Sequence, residues 1–137
     1  MTIIEVIELR TILDSRGNPT VEADVYTGSG HGRSAAPSGA STGSLEAKVK
    51  PPAEAVDNAL QNVIPALIGM DALDQESFDE QLRDIDGTAD FSGIGANIAV
   101  ALSLANAKAA SASLGQPLFR YLGGAFAKEM PLPLGNV

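Results

Sequence analysis

The chain has 137 residues, 45% hydrophobic and 4% aromatic, which is long and apolar enough for one modest core. It has no cysteine and one histidine, which excludes a disulfide framework and any thiolate or histidine-rich metal site. A formal net charge of −8 argues against nucleic acid as a partner, and no stretch has the length and apolarity of a membrane span or leader. We therefore expect an acidic, soluble protein of the cytoplasm.

The first third of the chain predicts an antiparallel meander of three strands. In the middle strand, strict alternation puts Val21, Ala23 and Val25 on one face and Glu22, Asp24 and Tyr26 on the other. Turn-forming residues separate the first two strands, a glycine-rich hairpin segment separates the last two, and Pro37 ends the third. The predicted strands are TIIEVIELRTIL (2–13), TVEADVYT (20–27) and RSAAP (33–37).

The remainder of the chain has helical periodicity, so the predicted fold class is α+β, a sheet followed by a layer of several helices. Pro65 should kink or end the first helix early, and Asp74 is the expected N-cap of the second. The third helix is rich in alanine and apolar on nearly every side, which is typical of a helix buried on more than one face. The predicted helical segments are 51–70, 75–85, 94–115 and 117–124.

Several familiar site motifs are absent. GSGHG (28–32) lacks the third glycine of a dinucleotide fingerprint, and GASTG (39–43) lacks the Gly-Lys-Ser/Thr of a P-loop. His31 lies in a predicted turn with nothing to mark it as a base, so no Ser-His-Asp set is predicted. Acidic side chains of the second helix lie mostly off its apolar face, as on a solvated surface: Glu76, Asp79, Glu80 and Asp84.

The sequence PSGASTG, hereafter the 37–43 loop, has a composition more often found in plain flexible loops than in sites. Its chemistry nevertheless permits a specific role. Gly39 and Gly43 allow unusual backbone conformations and could serve as hinges. The hydroxyls of Ser38, Ser41 and Thr42 are hard neutral ligands that Mg²⁺ accepts beside carboxylates and substrate oxygens. Such a loop could close over a polyanionic ligand.

Two long motifs resemble the enolase family. They are LDSRGNPTVEADV (13–25) and PSGASTGSLEA (37–47), and DIDGTADFSGIGANIAVALSLANAKAAS (84–111), PLFRYLGG and MPLPLGNV extend the likeness in the family's order. The resemblance implies a cap domain of three strands and several helices over residues 1–127. Residues 128–137 would then begin the connection into a C-terminal β/α barrel that this chain does not contain.

The resemblance implies a reaction, the reversible dehydration of 2-phosphoglycerate to phosphoenolpyruvate in glycolysis and gluconeogenesis, with Mg²⁺ as cofactor. By position, Ser41 would ligate the second Mg²⁺, and Gly39, Ala40 and Thr42 would be lid residues that exclude water. None of the catalytic acid and base residues would lie in this chain. We therefore expect the 137-residue chain to be inactive without the barrel.

The resemblance also implies a homodimer or higher homo-oligomer, with Arg10, Arg16 and Glu22 in ion pairs across the interface; ordinary surface charge is the alternative. One departure follows Ala47, where the family has a longer segment and this chain passes directly to Pro51. That departure weakens the oligomer inference more than the metal inference.

Two other functions stay open. One is a free-standing interaction module, derived from the cap domain and without catalytic activity. The other is a sibling of the superfamily acting on another acid.

Overall fold

The computed structural model describes residues 1–135. Its sheet consists of β1 (Ile4–Leu13), β2 (Pro19–Thr27) and β3 (His31–Ala35), antiparallel in the order β1-β2-β3. The predicted meander is therefore confirmed. The third strand begins two residues earlier than expected, so the assignment of His31 to a turn was wrong, because His31 pairs with Tyr26 in the ladder and stacks on its ring.

The turn between β1 and β2 is organised by one carboxylate. The side chain of Asp14 accepts hydrogen bonds from the backbone N–H groups of Arg16 and Asn18, both at 2.8 Å. Gly17 has a φ of 79°, in the left-handed region that favours glycine. The turn fixes the register in which Arg10 pairs with Glu22.

Within residues 1–135, five helices follow the sheet. They are α1 (Pro52–Asn62), α2 (Ile64–Leu67), α3 (Gln75–Asp86), α4 (Ala96–Ser113) and α5 (Leu118–Gly123). The first predicted helix is divided at Val63, because Pro65 has no N–H to continue the helical hydrogen-bond pattern. As predicted, Asp74 caps α3 by accepting from the N–H of Ser77 at 3.1 Å.

Helix α4 is the centre of the fold. It packs on β2 and β3 on one side and contacts α1, α3 and α5 elsewhere, which explains why its sequence is apolar on nearly every side. The contact with β3 is very close, since a Cβ at Gly32 would lie 2.1 Å from the carbonyl oxygen of Ala105. The largest side chains of the surrounding core are Phe78, Ile4, Leu67, Leu82, Ile98 and Leu102.

The end of the chain is more open. Residues 125–135 form no helix or strand, and Phe126, Met130 and Leu132 are exposed. Residues 136–137, the end of the predicted connection, lie outside the described residues. Among residues 1–135, no helix combines the length and apolarity needed to cross a membrane.

Candidate functional site

The 37–43 loop begins where the sheet ends. The N–H of Ala36 donates to the carbonyl of Val21 at 2.8 Å, and the hydroxyl of Thr20 donates to the carbonyl of Ala36 at 2.7 Å. Pro37 has no N–H to extend this pairing, so the chain leaves the sheet there. All residues of the 37–43 loop are exposed.

The loop lines a cleft. Its opposite wall is the segment 46–50, and Pro19, Thr20, Pro52 and Asn97 close the remaining sides of a cavity of about 390 Å³. Ser41 lines this cavity with its side chain exposed and, among residues 1–135, makes no side-chain hydrogen bond. Its hydroxyl oxygen is therefore available to a ligand, and a hydroxyl is a donor type that Mg²⁺ accepts.

The loop glycines are not in the left-handed region. Positive φ angles occur at other glycines of the described chain, whereas Gly39 and Gly43 adopt conformations open to other residues. A Cβ at Gly43 would lie 3.5 Å from its nearest neighbour, and one at Gly39 would lie 3.1 Å from the carbonyl oxygen of Ser41. In this conformation the backbone angles of Gly39 and Gly43 do not demand glycine. Their role as hinges therefore stays a prediction.

The far side of the cleft is held by backbone hydrogen bonds. The N–H of Lys48 donates to the carbonyl of Asp90 at 2.7 Å. The carbonyl of Lys48 accepts from the N–H of Ala96 at 2.8 Å. The amide of Asn97 donates to the carbonyl of Lys50 at 3.0 Å and accepts from the N–H of Lys50 at 3.3 Å. These contacts join the wall of the cleft to the first turn of α4.

Residues 90–97, which contain the partners of Lys48 and Lys50, follow a turn that the side chain of Asp86 holds in place. This buried carboxylate accepts from the N–H of Ile94 at 2.7 Å and from the N–H of Thr88 at 3.0 Å, and also from the Thr88 hydroxyl. Burial, the largest single influence, opposes ionisation of Asp86, but the hydrogen bonds together hold its pKa below the usual value. The sequence DGT predicted only a turn here.

Arg16 contacts the 37–43 loop. Its Nη2 lies 2.9 Å from the carbonyl oxygen of Gly39 and 3.4 Å from that of Ser38. The sequence placed Arg16 at a subunit interface, and that role stays a prediction. The contact with the loop was not foreseen, because the two segments are separated by 22 positions and more along the chain.

Arg10 and Glu22, the other predicted interface residues, belong to an ion-pair cluster on the sheet face away from α4. Nη1 of Arg10 lies 2.6 Å from Oε2 of Glu22 and 2.5 Å from Oδ2 of Asp24. The other oxygen of Asp24 lies 2.8 Å from Nε of Arg33 and 2.5 Å from Nε2 of His31. Their interface role is likewise untested.

Asp24 is fully buried beneath these partners. Burial alone would raise its pKa, but hydrogen bonds from Arg33, His31 and Arg10 outweigh it and lower the pKa to about 2. The sequence interpretation missed Asp24 as a buried ionised group, because alternation indicates only which face of the strand Asp24 lies on. The register that pairs Asp24 with Arg33 and Arg10 with Glu22 was the signal that could have revealed the cluster.

No metal-binding group of three or more His, Cys, Asp or Glu side chains occurs among residues 1–135. The arrangement that the structure does provide is a cleft with one exposed hydroxyl-bearing loop, anchored near both ends. Such a loop could contribute oxygen ligands and cover a bound molecule, while the rest of a binding site would come from elsewhere.

Comparison with known proteins shows which family this chain resembles. A family model described as "Enolase, N-terminal domain" matches residues 4–122. The enolase of Methanocorpusculum labreanum is 65% identical over 138 residues, covering 100% of this chain and 35% of the relative. The enolases of Halorubrum lacusprofundi and Archaeoglobus fulgidus are 59% and 54% identical, covering 100% and 98% of this chain and 35% and 34% of the relatives. The chain thus spans about a third of the length of the curated relatives it matches.

Proposed function

This chain belongs to the enolase family, in which it corresponds to the N-terminal domain, and from that premise we propose that it works as the cap of an enzyme that dehydrates 2-phosphoglycerate to phosphoenolpyruvate. The proposed domain occupies residues 1–127, and residues 128–137 lead towards a C-terminal β/α barrel. In the proposal the barrel carries the catalytic acid and base.

In that reaction, the segment of this chain that contacts metal and substrate is the 37–43 loop. Ser41 offers a hydroxyl and a carbonyl oxygen, and both are suited to Mg²⁺. When bound, Mg²⁺ would stabilise the negative charge that develops as the weakly acidic proton beside a carboxylate is removed. Gly39, Ala40 and Thr42 are small enough to approach a substrate closely and to exclude water when the loop is closed.

The observation that carries the proposal is the location of Ser41. It is exposed, it lines a cavity of about 390 Å³, and it lies in a segment whose sequence matches relatives named enolase.

The test is the Ser41→Ala variant of the complete enzyme. With one metal ligand lost, we expect the Mg²⁺ concentration for half-maximal activity to rise and kcat to fall, each by about 10-fold or more. Formation of phosphoenolpyruvate, followed by its ultraviolet absorbance across a Mg²⁺ titration, provides both values.

Ser44→Ala is the matched control, because Ser44 is an exposed serine of the same segment outside the 37–43 loop. It should keep the Mg²⁺ dependence of the unmodified enzyme. An unchanged Mg²⁺ dependence in Ser41→Ala would refute the ligand role.

A binding function without catalysis is the second candidate. It is favoured by exposed apolar side chains towards the end of the chain, namely Phe119, Leu122, Phe126, Met130 and Leu132. In the leading proposal the barrel covers them; in the second candidate a separate protein does. Turnover of 2-phosphoglycerate by the purified complete protein, with none by residues 1–137 alone, would support the first, whereas no turnover by either would support the second.

The proposal extends to assembly and location. We propose that the complete enzyme acts in the cytoplasm as a homodimer with Arg10, Arg16 and Glu22 at the interface. The exposure of part of each arginine side chain supports this, since each guanidinium keeps donors free for a second partner. Sedimentation of Arg10→Glu and Arg16→Glu variants tests it: loss of the dimer is expected, and an unchanged dimer in both would contradict it.

A further inference from the structure

The β1–β2 turn contacts the 37–43 loop through a single side chain. Nη2 of Arg16 donates to the carbonyl oxygens of Gly39, at 2.9 Å, and Ser38, at 3.4 Å. These two carbonyls lie just before Ser41 in the chain. Among residues 1–135, the contacts of Arg16 are the only side-chain hydrogen bonds that reach the 37–43 loop from outside it.

The turn holds Arg16 in place. Asp14 accepts from the N–H groups of Asn18 and Arg16, and these bonds, in that order of importance, hold the pKa of Asp14 below its usual value. The N–H of Asp14 also donates to the carbonyl of Asn18 at 2.8 Å, and that of Gly17 to the carbonyl of Asp14 at 3.0 Å. With its backbone fixed by four hydrogen bonds, the turn limits the positions that the guanidinium can occupy.

The two walls of the cleft are therefore held by different kinds of contact. Lys48 and Lys50 are bonded to Asp90, Ala96 and Asn97, whereas Ser38 and Gly39 are bonded to one exposed arginine. Both contacts come from Nη2, and the rigid planar guanidinium fixes the direction of its N–H groups, which the flexible ammonium of a lysine does less well.

We propose that Arg16 is a positioning residue: it holds the N-terminal part of the 37–43 loop by the carbonyls of Ser38 and Gly39 and thereby sets where Ser41 lies. This inference rests on the proposed function for its consequence in catalysis, but the contact itself does not depend on it. Without Arg16 the loop samples more conformations, and the fraction competent to contribute Ser41 falls.

The first measurement is limited proteolysis of the complete protein with proteinase K. Arg16→Ala should speed cleavage within residues 38–43 about fivefold and leave cleavage elsewhere unchanged, because the lost contact is local. Arg16→Lys, which keeps the charge and is the safer variant for folding, should speed it about twofold. Arg120→Ala is the matched control: its Nη1 donates to the carbonyl of Ala125 at 3.2 Å, and it should leave residues 38–43 unaffected.

The second measurement is a Mg²⁺ titration of activity. In Arg16→Ala the Mg²⁺ concentration for half-maximal activity should rise about fivefold, and saturating Mg²⁺ should restore most of kcat, because the loop is displaced but Ser41 is intact. Ser41→Ala differs, since its kcat should stay low at saturating Mg²⁺.

Three outcomes would overturn the inference. They are an unchanged rate of cleavage at residues 38–43 in Arg16→Ala, equal acceleration in Arg120→Ala, and dissociation of a dimer without any change at residues 38–43. The last would assign Arg16 to the interface alone. If the complete protein does not turn over 2-phosphoglycerate, the proposed function fails, and the proteolysis measurement still decides whether Arg16 holds the loop.

Discussion

Glycine and other small residues are concentrated in two regions of this molecule, the contact of α4 with β3 and the 37–43 loop, and they serve different purposes. At the first, a Cβ on Gly32 would lie 2.1 Å from the backbone of Ala105, and one on Gly30 would lie 2.4 Å from that of Ala109. In the loop, the nearest neighbour of a Cβ at Gly43 is 3.5 Å away. The first region is compact because its residues are small, and the second is open although its residues are small.

The difference shows that composition alone does not separate a packed contact from an exposed loop. The small residues of α4 bring two backbones together, and the residues of α4 and β3 that face each other are buried, as in other close-packed interiors. The 37–43 loop faces the segment 46–50 across a cleft, and its hydroxyl-bearing residues are exposed. A second difference is electrostatic, since the sheet buries an ionised carboxylate among several partners, while the loop is held by one exposed guanidinium.

The largest effect should come from filling the close contact. Gly32→Ala places a methyl group against the backbone of Ala105 and Ala109, which cannot move without displacing α4 from the sheet. We expect a loss of about 3 kcal/mol in the free energy of unfolding. Urea denaturation of the complete protein, followed by circular dichroism, measures it.

Gly43→Ala is the control from the other region, and it should change stability by less than about 0.5 kcal/mol, because the added methyl group meets only the side chain of Glu46. If Gly32→Ala and Gly43→Ala lowered the free energy of unfolding equally, the distinction between a packed and an open glycine region would be wrong.

A smaller effect should come from the ion-pair cluster. Asp24 has a pKa of about 2 in place of the usual 3.8, so its ionisation stabilises the folded state by about 2 kcal/mol. Because the folded-state pKa is the lower one, this stabilisation is complete above about pH 5 and is lost as the pH falls towards 2. Asp24→Asn should therefore be destabilised at pH 7, and its deficit should shrink in acid.

Denaturation curves recorded between pH 7 and pH 3 test this dependence. Glu8→Gln is the control, because Glu8 pairs with the same arginine, Arg10, at 3.1 Å but is half exposed, and it should cost less than about 0.5 kcal/mol. A deficit in Asp24→Asn that is constant with pH would contradict the assignment of Asp24 as ionised.

The smallest of the three effects concerns the segment 46–50, the wall of the cleft opposite the 37–43 loop. Asn97→Ala removes both hydrogen bonds to the backbone of Lys50, and we expect a loss of about 1 kcal/mol together with faster amide exchange at residues 48–50. Asn62→Ala is the matched control, since Asn62 donates only to Asn58 on the surface of α1. Equal exchange at residues 48–50 in both variants would mean that Asn97 does not anchor this wall.

Much of the fold could be predicted because it depends on local pattern. The alternation placed Val21, Ala23 and Val25 on one face of β2, and all three are fully buried. Pro65 divided the first helix near the predicted place, and Asp74 caps α3. Each of these features is decided within a few residues of the chain, where turn chemistry and helix capping act.

The candidate site was predictable only in part. Its loop could be found from PSGASTG and from the family resemblance, and its position beside a cleft follows from the sheet ending at Ala36. The partners of the loop could not be found in this way. The contact of Arg16 with Gly39 and that of Asn97 with Lys50 join segments far apart in sequence, and no periodicity relates them.

The sequence by itself determined the order of strands and helices, the exposed loop that carries Ser41, and the family. The tertiary structure alone decided that Asp24 is buried and ionised and that Arg16 holds the carbonyls of Ser38 and Gly39. The physical reason is the distance along the chain over which each interaction acts. Backbone propensity and hydrophobic period act over a few neighbouring residues, whereas the energy of a charged side chain depends on groups that only folding brings within 3 Å or so of it.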